Sequence, residues 1–300
     1  MHLAFIGFGL IGGSIARAVR DRTVRDRTVR EGATSSSWRL QAWSPTGEGP
    51  ARAVADGVID AAPATPEDTL AGAELVVLAG PASACLAALD NLAGPWRAVL
   101  QQGTVITDVA STKAALLDRA DAAGLRYVGG HPMAGLETSG YAAARADLFV
   151  DRPWVIVPGR HADAPDVDRV VALVEACRAH VVRMDARTHD RAVAAISHLP
   201  LVLAAALVEA VSGVAGPDHD WHTAKGLAAS GWRDMTRLAR GEPAMGASIA
   251  ATNAPALAAR LRDLQLVLDD WLAALERPGG PDEAELQERL RAARSRLEEP

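Results

Sequence analysis

Cysteine and lysine are scarce in this chain, positive charge is not in excess, and no uninterrupted apolar run reaches membrane-spanning length. The 2 cysteines among 300 residues, Cys85 and Cys177, lie in Ala/Leu/Val-rich surroundings. They read as buried free thiols, which argues against a disulfide framework and suits a reducing cytoplasm. Neither Cys-x-x-Cys nor His-Glu-x-x-His spacing occurs, so no metal site is expected. Lysine is confined to Lys113 and Lys225, and the net charge of −6 gives no support to nucleic-acid or anionic-membrane partners. No basic segment followed by a signal-type apolar stretch opens the chain. What is present is a 49% hydrophobic composition and enough length for two domains with cores of their own.

The first of these cores announces a nucleotide site. His2–Ile6 reads as a buried strand, and Gly7-Phe8-Gly9-Leu10-Ile11-Gly12 follows at once, with helical character from Gly13 onward. In a strand–turn–helix of this kind the first glycine permits the tight turn. The second admits a pyrophosphate, and the third lets helix pack on strand. Gly7, Gly9, Leu10, Ile11 and Gly12 are therefore candidate binders of a dinucleotide, whose phosphates suit a helix N-terminus. Asp21–Arg30 duplicates Asp-Arg-Thr-Val-Arg and is expected to extend the first helix or its loop. Gly32–Ser37 reads as a linker and Trp38–Trp43 as the second strand.

An acid after that second strand would bind a ribose hydroxyl and select NAD. The chain has Ser44-Pro45-Thr46, with Arg52 and Glu48 nearby, which leans toward NADP or dual use. Glu74–Ala79 reads as a strand ending at Gly80-Pro81, and Val105–Val109 as a strand followed by Ser111 near a helix N-cap. Ser44, Gly80, Pro81 and Ser111 complete the expected cofactor-binding set. Trp154–Val157 and Val181–Met184 read as late strands around the helix Ala164–Ala179. The alternation implies a doubly wound, largely parallel α/β domain over residues 1–185. Beyond Arg187 the segments Thr188–Val211, Trp221–Leu238, Pro243–Leu275 and Asp282–Leu297 favour helix, giving an all-α domain over 186–300.

His131 stands in Gly129-Gly130-His131-Pro132-Met133-Ala134-Gly135, which reads as a turn presenting an imidazole to a pocket. His198 sits in an apolar helical stretch two residues before Pro200; alone, it reads more readily as a core histidine, although the kink at Pro200 can open a pocket beside it. Asp234 and Arg237 share a helix face at i, i+3, as a surface ion pair or as an oriented fork for a carboxylate.

Taken in order, Gly7–Gly13, Thr107–Lys113, Gly129–Gly135, His189-Asp190 with Ser197–Pro200, and Ser230–Arg237 resemble the prephenate/arogenate dehydrogenases, over residues 1 to about 275. The resemblance implies a Rossmann-type domain, a helical domain that forms a homodimer, and an active site between them. It also implies NAD- or NADP-dependent oxidative decarboxylation of prephenate to 4-hydroxyphenylpyruvate in tyrosine biosynthesis, with arogenate giving tyrosine as the alternative. On it, His131 corresponds to the catalytic histidine and Ser111 to its hydrogen-bonding partner near the nicotinamide. His198 corresponds to a second histidine lining the substrate site, and Arg237 to the arginine that grips the substrate carboxylate. Glu137 is expected at the side-chain end of the substrate. Gly246 stands where some prephenate-type members carry Trp and some arogenate-type members Gly.

Only one charged helix follows Pro278–Pro281, and no mutase-like segment precedes the first strand. A monofunctional chain without a regulatory domain is expected, with any tyrosine inhibition arising at the active site. Two other readings stand beside this one: a β-hydroxyacid dehydrogenase, for which Lys225 is the candidate lysine in the helical half, and a noncatalytic NAD(P)-binding module.

Overall fold

The computed structural model describes residues 1–29, 38–136, 138–213 and 221–298, with backbone alone for 24–29; Gly32–Ser37 and Glu137 lie outside the described residues. Seven strands, β1 (His2–Ile6), β2 (Arg39–Trp43), β3 (Leu75–Leu78), β4 (Val105–Asp108), β5 (Tyr127–Pro132), β6 (Pro153–Pro158) and β7 (His180–Arg183), form one sheet in the order β2-β1-β3-β4-β5-β6-β7. Neighbours are parallel except β5 and β6, which pair antiparallel. The central strands are continuous apolar runs because both faces are covered. Leu3, Phe5, Leu75 and Val77 enter one core, and Ala4, Ile6, Val76 and Leu78 the other.

Around the sheet lie α1 (Leu10–Val29), α2 (Glu48–Ala55), α3 (Pro66–Leu70), α4 (Ala82–Ala93), α5 (Ala114–Ala122) and α6 (Ala164–Ala176). α1 runs through the first copy of the duplicated pentapeptide and ends within the second. The helical part follows as α7 (Ala186–Val193), α8 (Leu199–Val211), α9 (Trp221–Gly226), α10 (Ser230–Met235), α11 (Pro243–Thr252), α12 (Ala254–Leu275) and α13 (Glu283–Glu298). By proximity along the backbone, Met1–Ala254 is one compact unit and Pro255–Pro300 another. Within the second, Arg277 pairs with Glu285 and the Arg289 guanidinium lies 4.3 Å from the centre of the Trp271 ring.

Three expectations are corrected. His131 is not in a turn; it is the fifth residue of β5 and pairs with Val155. Its preceding glycines serve close packing, not flexibility: a Cβ on Gly130 would lie 2.5 Å from the Asp108 carbonyl oxygen, and one on Gly129 3.2 Å from the Lys113 side chain. Ser111 does not cap α5, whose N-cap is Lys113. Trp221–Leu238 is broken into α9, α10 and a 3-10 turn at Arg237–Arg240, so Asp234 and Arg237 do not share one α-helix.

No uninterrupted apolar run reaches membrane-spanning length, but one helix joins several shorter ones. α7 and α8 are joined by a π-helical turn, Ala194–His198, into one helix, Ala186–Val211, long and apolar enough by length and composition to cross a membrane. Ser197 and His198 interrupt the apolar run in the linear sequence and so hide it. Only 22% of its most apolar stretch is buried within the chain, while its first half holds the buried ionisable residues His189, Asp190 and His198, costly groups inside lipid. The wide turn falls just before Pro200, where a regular helix would drive the proline ring against a carbonyl one turn back.

Candidate active site

The carboxyl ends of β1, β2, β3 and β4 meet at one edge of the sheet, the edge where open α/β folds bind ligands. Gly7 has φ 87°, and a Cβ there would lie 3.0 Å from both the Ala79 carbonyl carbon and the Gly80 nitrogen. Gly9 is different: a Cβ would meet only the Gly140 Cα, at 4.0 Å, so the backbone here faces open space. The first α1 hydrogen bond runs from Gly13 N to Gly9 O, which leaves the N–H groups of Leu10, Ile11 and Gly12 to an incoming anion. A Cβ on Gly13 would strike Tyr141 Cδ2 at 2.7 Å, so glycine there seats the loop after β5 on the helix. Gly7 N also donates to Trp43 O, placing Ser44 beside the glycine turn.

Ser44 and Thr46 line a cleft of about 310 Å³ beyond β2, together with Trp43, Pro45, Gly47 and Ala64. Among the described residues no charged one lines it, and Arg52, exposed on α2, stands outside it. The cradle fits a dinucleotide: small residues where phosphate approaches, free N–H groups at a helix start, and an uncharged pocket at the adenosine end.

At the inner end of the edge a buried polar network takes over. His131 Nδ1 lies 2.8 Å from His189 Nε2, and His189 Nδ1 lies 2.8 Å from Asp190 Oδ1. Asp190 also accepts from Lys113 N at 2.8 Å and Ala114 N at 2.9 Å, so its carboxylate caps α5 from another helix. Burial pushes the Asp190 carboxyl up, but the bonds from His189, Ala114 and Lys113 outweigh it and hold the pKa below the ordinary 3.8. A carboxylate only accepts, so His189 Nδ1 donates. With His189 Nε2 as the acceptor of this pair, His131 Nδ1–H donates to it. The chain of bonds sets the tautomer of His131 and leaves its own Nε2 as an acceptor; among the described residues nothing bonds that atom. Burial, the Lys113 charge, and the neighbouring His189 and His198 hold His131 well below 6.5, so it is a neutral base at pH 7.

Beneath it, Lys113 and Asp108 form an ion pair with both side chains fully buried. Asp108 further accepts from the Tyr127 hydroxyl, from Ala110 N at 2.7 Å and from Gly130 N at 3.2 Å. His198 lies at the start of α8, 1% exposed, with Nδ1 3.1 Å from Asn253 Nδ2. Burial lowers its pKa to about 4, against the opposing Asp190 charge; His189 adds to the fall, and the Ser111 backbone beside it opposes. Thr112 Oγ1, one residue from Ser111, meets Thr252 Oγ1 of α11 at 2.9 Å.

The structure thus gathers Gly7, Gly9, Leu10, Ile11, Gly12, Ser44, Gly80 and Pro81 along one edge, and His131, Ser111 and His198 around one network. Arg237 is exposed in a 3-10 turn that packs against α8, the helix whose start follows His198. Asp234 is exposed on α10, and no Asp234–Arg237 ion pair forms among the described residues. Lys225 is exposed at the end of α9, whereas the buried lysine is Lys113.

Residues 42–183 match the family described as "Prephenate dehydrogenase, nucleotide-binding domain", and residues 185–291 match "Prephenate dehydrogenase, dimerization domain". The prephenate dehydrogenase of Bacillus subtilis is 32% identical over 274 residues, covering 90% of this chain and 67% of that protein. The chain belongs to the prephenate dehydrogenase family. The cyclohexadienyl dehydrogenase of Zymomonas mobilis is 31% identical, covering 92% of this chain and 86% of that one. The crystal structure of prephenate dehydrogenase from Aquifex aeolicus with hydroxyphenyl propionate and NAD+ superposes with a TM-score of 0.83 at 25% identity, covering 99% and 98% of the two chains. The Synechocystis arogenate dehydrogenase gives 0.76 at 29% identity, covering 99% and 100%. This member of the family is a nicotinamide-dependent oxidoreductase with an N-terminal nucleotide-binding sheet and a helical dimerization domain.

Three parts of the site in this prephenate dehydrogenase family member went unassigned in the sequence: the His189–Asp190 relay, the Lys113–Asp108 pair and Asn253. The first two lay inside motifs already singled out. Adjacent His and Asp, both buried on a helix whose flanking Arg187 and Arg191 are exposed, form the pair. Asn253 offered none beyond being a polar residue between two helical stretches.

Proposed function

We propose that this chain oxidises and decarboxylates prephenate to 4-hydroxyphenylpyruvate, as a cytoplasmic homodimer in which residues 1–185 hold the cofactor and 186–300 carry substrate contacts and the dimer interface. The observation that carries this reading is the His131–His189–Asp190 chain, which leaves His131 Nε2 bare at the cofactor edge.

Bound NAD(P)+ supplies the hydride acceptor. The glycine turn and the first N–H groups of α1 would hold its phosphates, and Ser44 and Thr46 would meet its adenosine end. His131 Nε2 accepts the hydroxyl proton as the ring carbinol is oxidised, and its Nδ1–H leans on His189 Nε2, so that Asp190 offsets the arriving charge. A positioned base of this kind contributes about 10²–10⁴-fold. Ser111 lies beside the reacting hydroxyl, Arg237 takes the carboxylate in a bidentate fork, and Asp234 and Glu137 order the polar end of the substrate. Loss of the ring carboxylate as CO₂ then leaves its bonding electrons to aromatise the ring, and the resulting phenolate oxygen takes the proton back from His131 Nε2.

Incubation of the purified chain with prephenate and NAD+ or NADP+, read by reduced-nicotinamide absorbance and CO₂ release, tests this. Cofactor reduction matched by CO₂ is expected; neither signal, with arogenate also inert, would end the reading. Arogenate is the second substrate to run, because the position of Gly246 is open: a Cβ there would meet only Leu201 Cδ2, at 3.6 Å.

The uncharged adenosine cleft predicts weak discrimination between NAD+ and NADP+, within about tenfold in kcat/KM. Ser44→Asp is expected to cut use of NADP+ by about tenfold or more through repulsion of the 2′-phosphate, with NAD+ kept. Paired steady-state kinetics check it, and unchanged NADP+ use would remove Ser44 from the cofactor site.

A further inference from the structure

One buried donor in this network makes no hydrogen bond of good geometry among the described residues. Asn253 stands at the break between α11 and α12, as the C-cap of α11 with φ −120° and ψ 25°, and is 3% exposed. Its Nδ2 donates to the Asp190 carbonyl oxygen at 2.8 Å. A carbonyl oxygen only accepts, so this bond fixes which way the amide is turned. The same Nδ2 lies 3.1 Å from His198 Nδ1. An amide NH₂ has two hydrogens and no lone pair to offer, so His198 Nδ1 is the acceptor and the ring proton sits on Nε2. That Nε2 is buried and, among the described residues, has no hydrogen-bond partner of good geometry.

We propose that Asn253 is a positioning residue that locks His198 in the neutral Nε2–H tautomer, making it a hydrogen-bond donor to an oxygen of the bound substrate. The identity of that oxygen, hydroxyl or carboxylate of a cyclohexadienol, rests on the proposed reaction; the tautomer does not. A histidine serving packing alone would spend both nitrogens on the protein, since an unmade buried donor is expensive. Here one nitrogen is spent on Asn253, and the other has the Ser111 backbone beside it but no hydrogen bond of good geometry among the described residues. The two histidines then have opposite duties. His131, donating through Nδ1, offers a lone pair at Nε2; His198, accepting at Nδ1, offers a proton at Nε2.

The test reads the tautomer directly. Long-range ¹⁵N–¹H correlation spectra of the ¹⁵N-histidine-labelled full chain at neutral pH, assigned with His198→Gln, are expected to show His198 with a bare Nδ1 and a protonated Nε2. Asn253→Leu is expected to shift that signature toward the other tautomer. In kinetics, His198→Gln, whose amide nitrogen reaches the Nε2 position, is expected to stay within about tenfold of wild-type kcat/KM. His198→Asn, whose amide reaches only the Nδ1 position, is expected to lose on the order of a hundredfold, the range for an unmet buried hydrogen bond. An Nδ1–H or imidazolium form in the wild-type spectrum, an Asn253→Leu spectrum identical to wild type, or equal losses for the two His198 variants would overturn the proposal. Should Asn253→Leu fail to fold, the wild-type spectrum and the Gln/Asn pair still decide. The spectrum is read without substrate, so the proposed reaction and this inference stand or fall separately.

Discussion

His131→Asn is expected to lower kcat by about 10²–10⁴-fold while leaving NAD(P) affinity nearly unchanged. The asparagine amide can still donate to His189 Nε2, so the relay below it keeps a partner and the strand keeps its place. What is lost is the lone pair at the Nε2 position, and with it the acceptor for the substrate proton. Stopped-flow turnover together with a fluorescence titration of the cofactor separates the two effects. A kcat within about tenfold of wild type would remove His131 from the chemistry. The pH dependence is signed as well. A base must be unprotonated to act, and burial together with Lys113 holds this one well below 6.5. The acid limb of kcat/KM in the wild type is therefore expected below pH 6.5, with a plateau through neutrality.

Lys113→Met is expected to cost about 3–5 kcal/mol of folding stability, the usual result of stripping one partner from a buried ion pair. Both side chains of the pair are fully buried, so neither charge is relieved by water. Asp108 would retain the Tyr127 hydroxyl and the Ala110 and Gly130 N–H groups, which places the expected loss toward the lower end of that range. Urea unfolding measures it. The double variant Lys113→Met with Asp108→Asn removes both charges and is expected to recover part of the loss, because an ion pair replaced as a unit is often near neutral. A single variant as stable as wild type would show the pair to be without structural weight. The same variant removes the cation that lowers the His131 pKa, so its acid limb is expected to move upward.

The sheet was legible because its strands carry a pattern that survives without tertiary information. Leu75–Leu78 is apolar on both faces, and the glycines after Ile6 have conformational requirements that a one-dimensional reading can state. The errors cluster where a distant group decides local structure. Gly129-Gly130 looked like part of a turn, but those glycines exist because Asp108 and Lys113 crowd the strand from outside. Ser111 looked like a cap, but Asp190, from α7, supplies the cap to α5. The long apolar segment around His198 hid a π-helical turn, and Trp221–Leu238 hid two breaks, because propensity alone does not locate them.

The site divides along the same line. His131, Ser111 and His198 were recoverable as residue types in motifs, and they meet in one network. Their roles were not recoverable. Which nitrogen of each imidazole carries the proton depends on Asp190 for one ring and Asn253 for the other, and neither dependence is written in local spacing.

A crystal structure of the chain with NAD(P)+ and a phenolic product analogue tests the central claim most directly. The expected result places His131 Nε2 at about 2.6–3.2 Å from the phenol oxygen, on the nicotinamide side, with the Arg237 guanidinium on the carboxylate of the same ligand. A ligand whose phenol oxygen lies against another residue, with His131 Nε2 facing solvent or protein and Arg237 directed away, would contradict it.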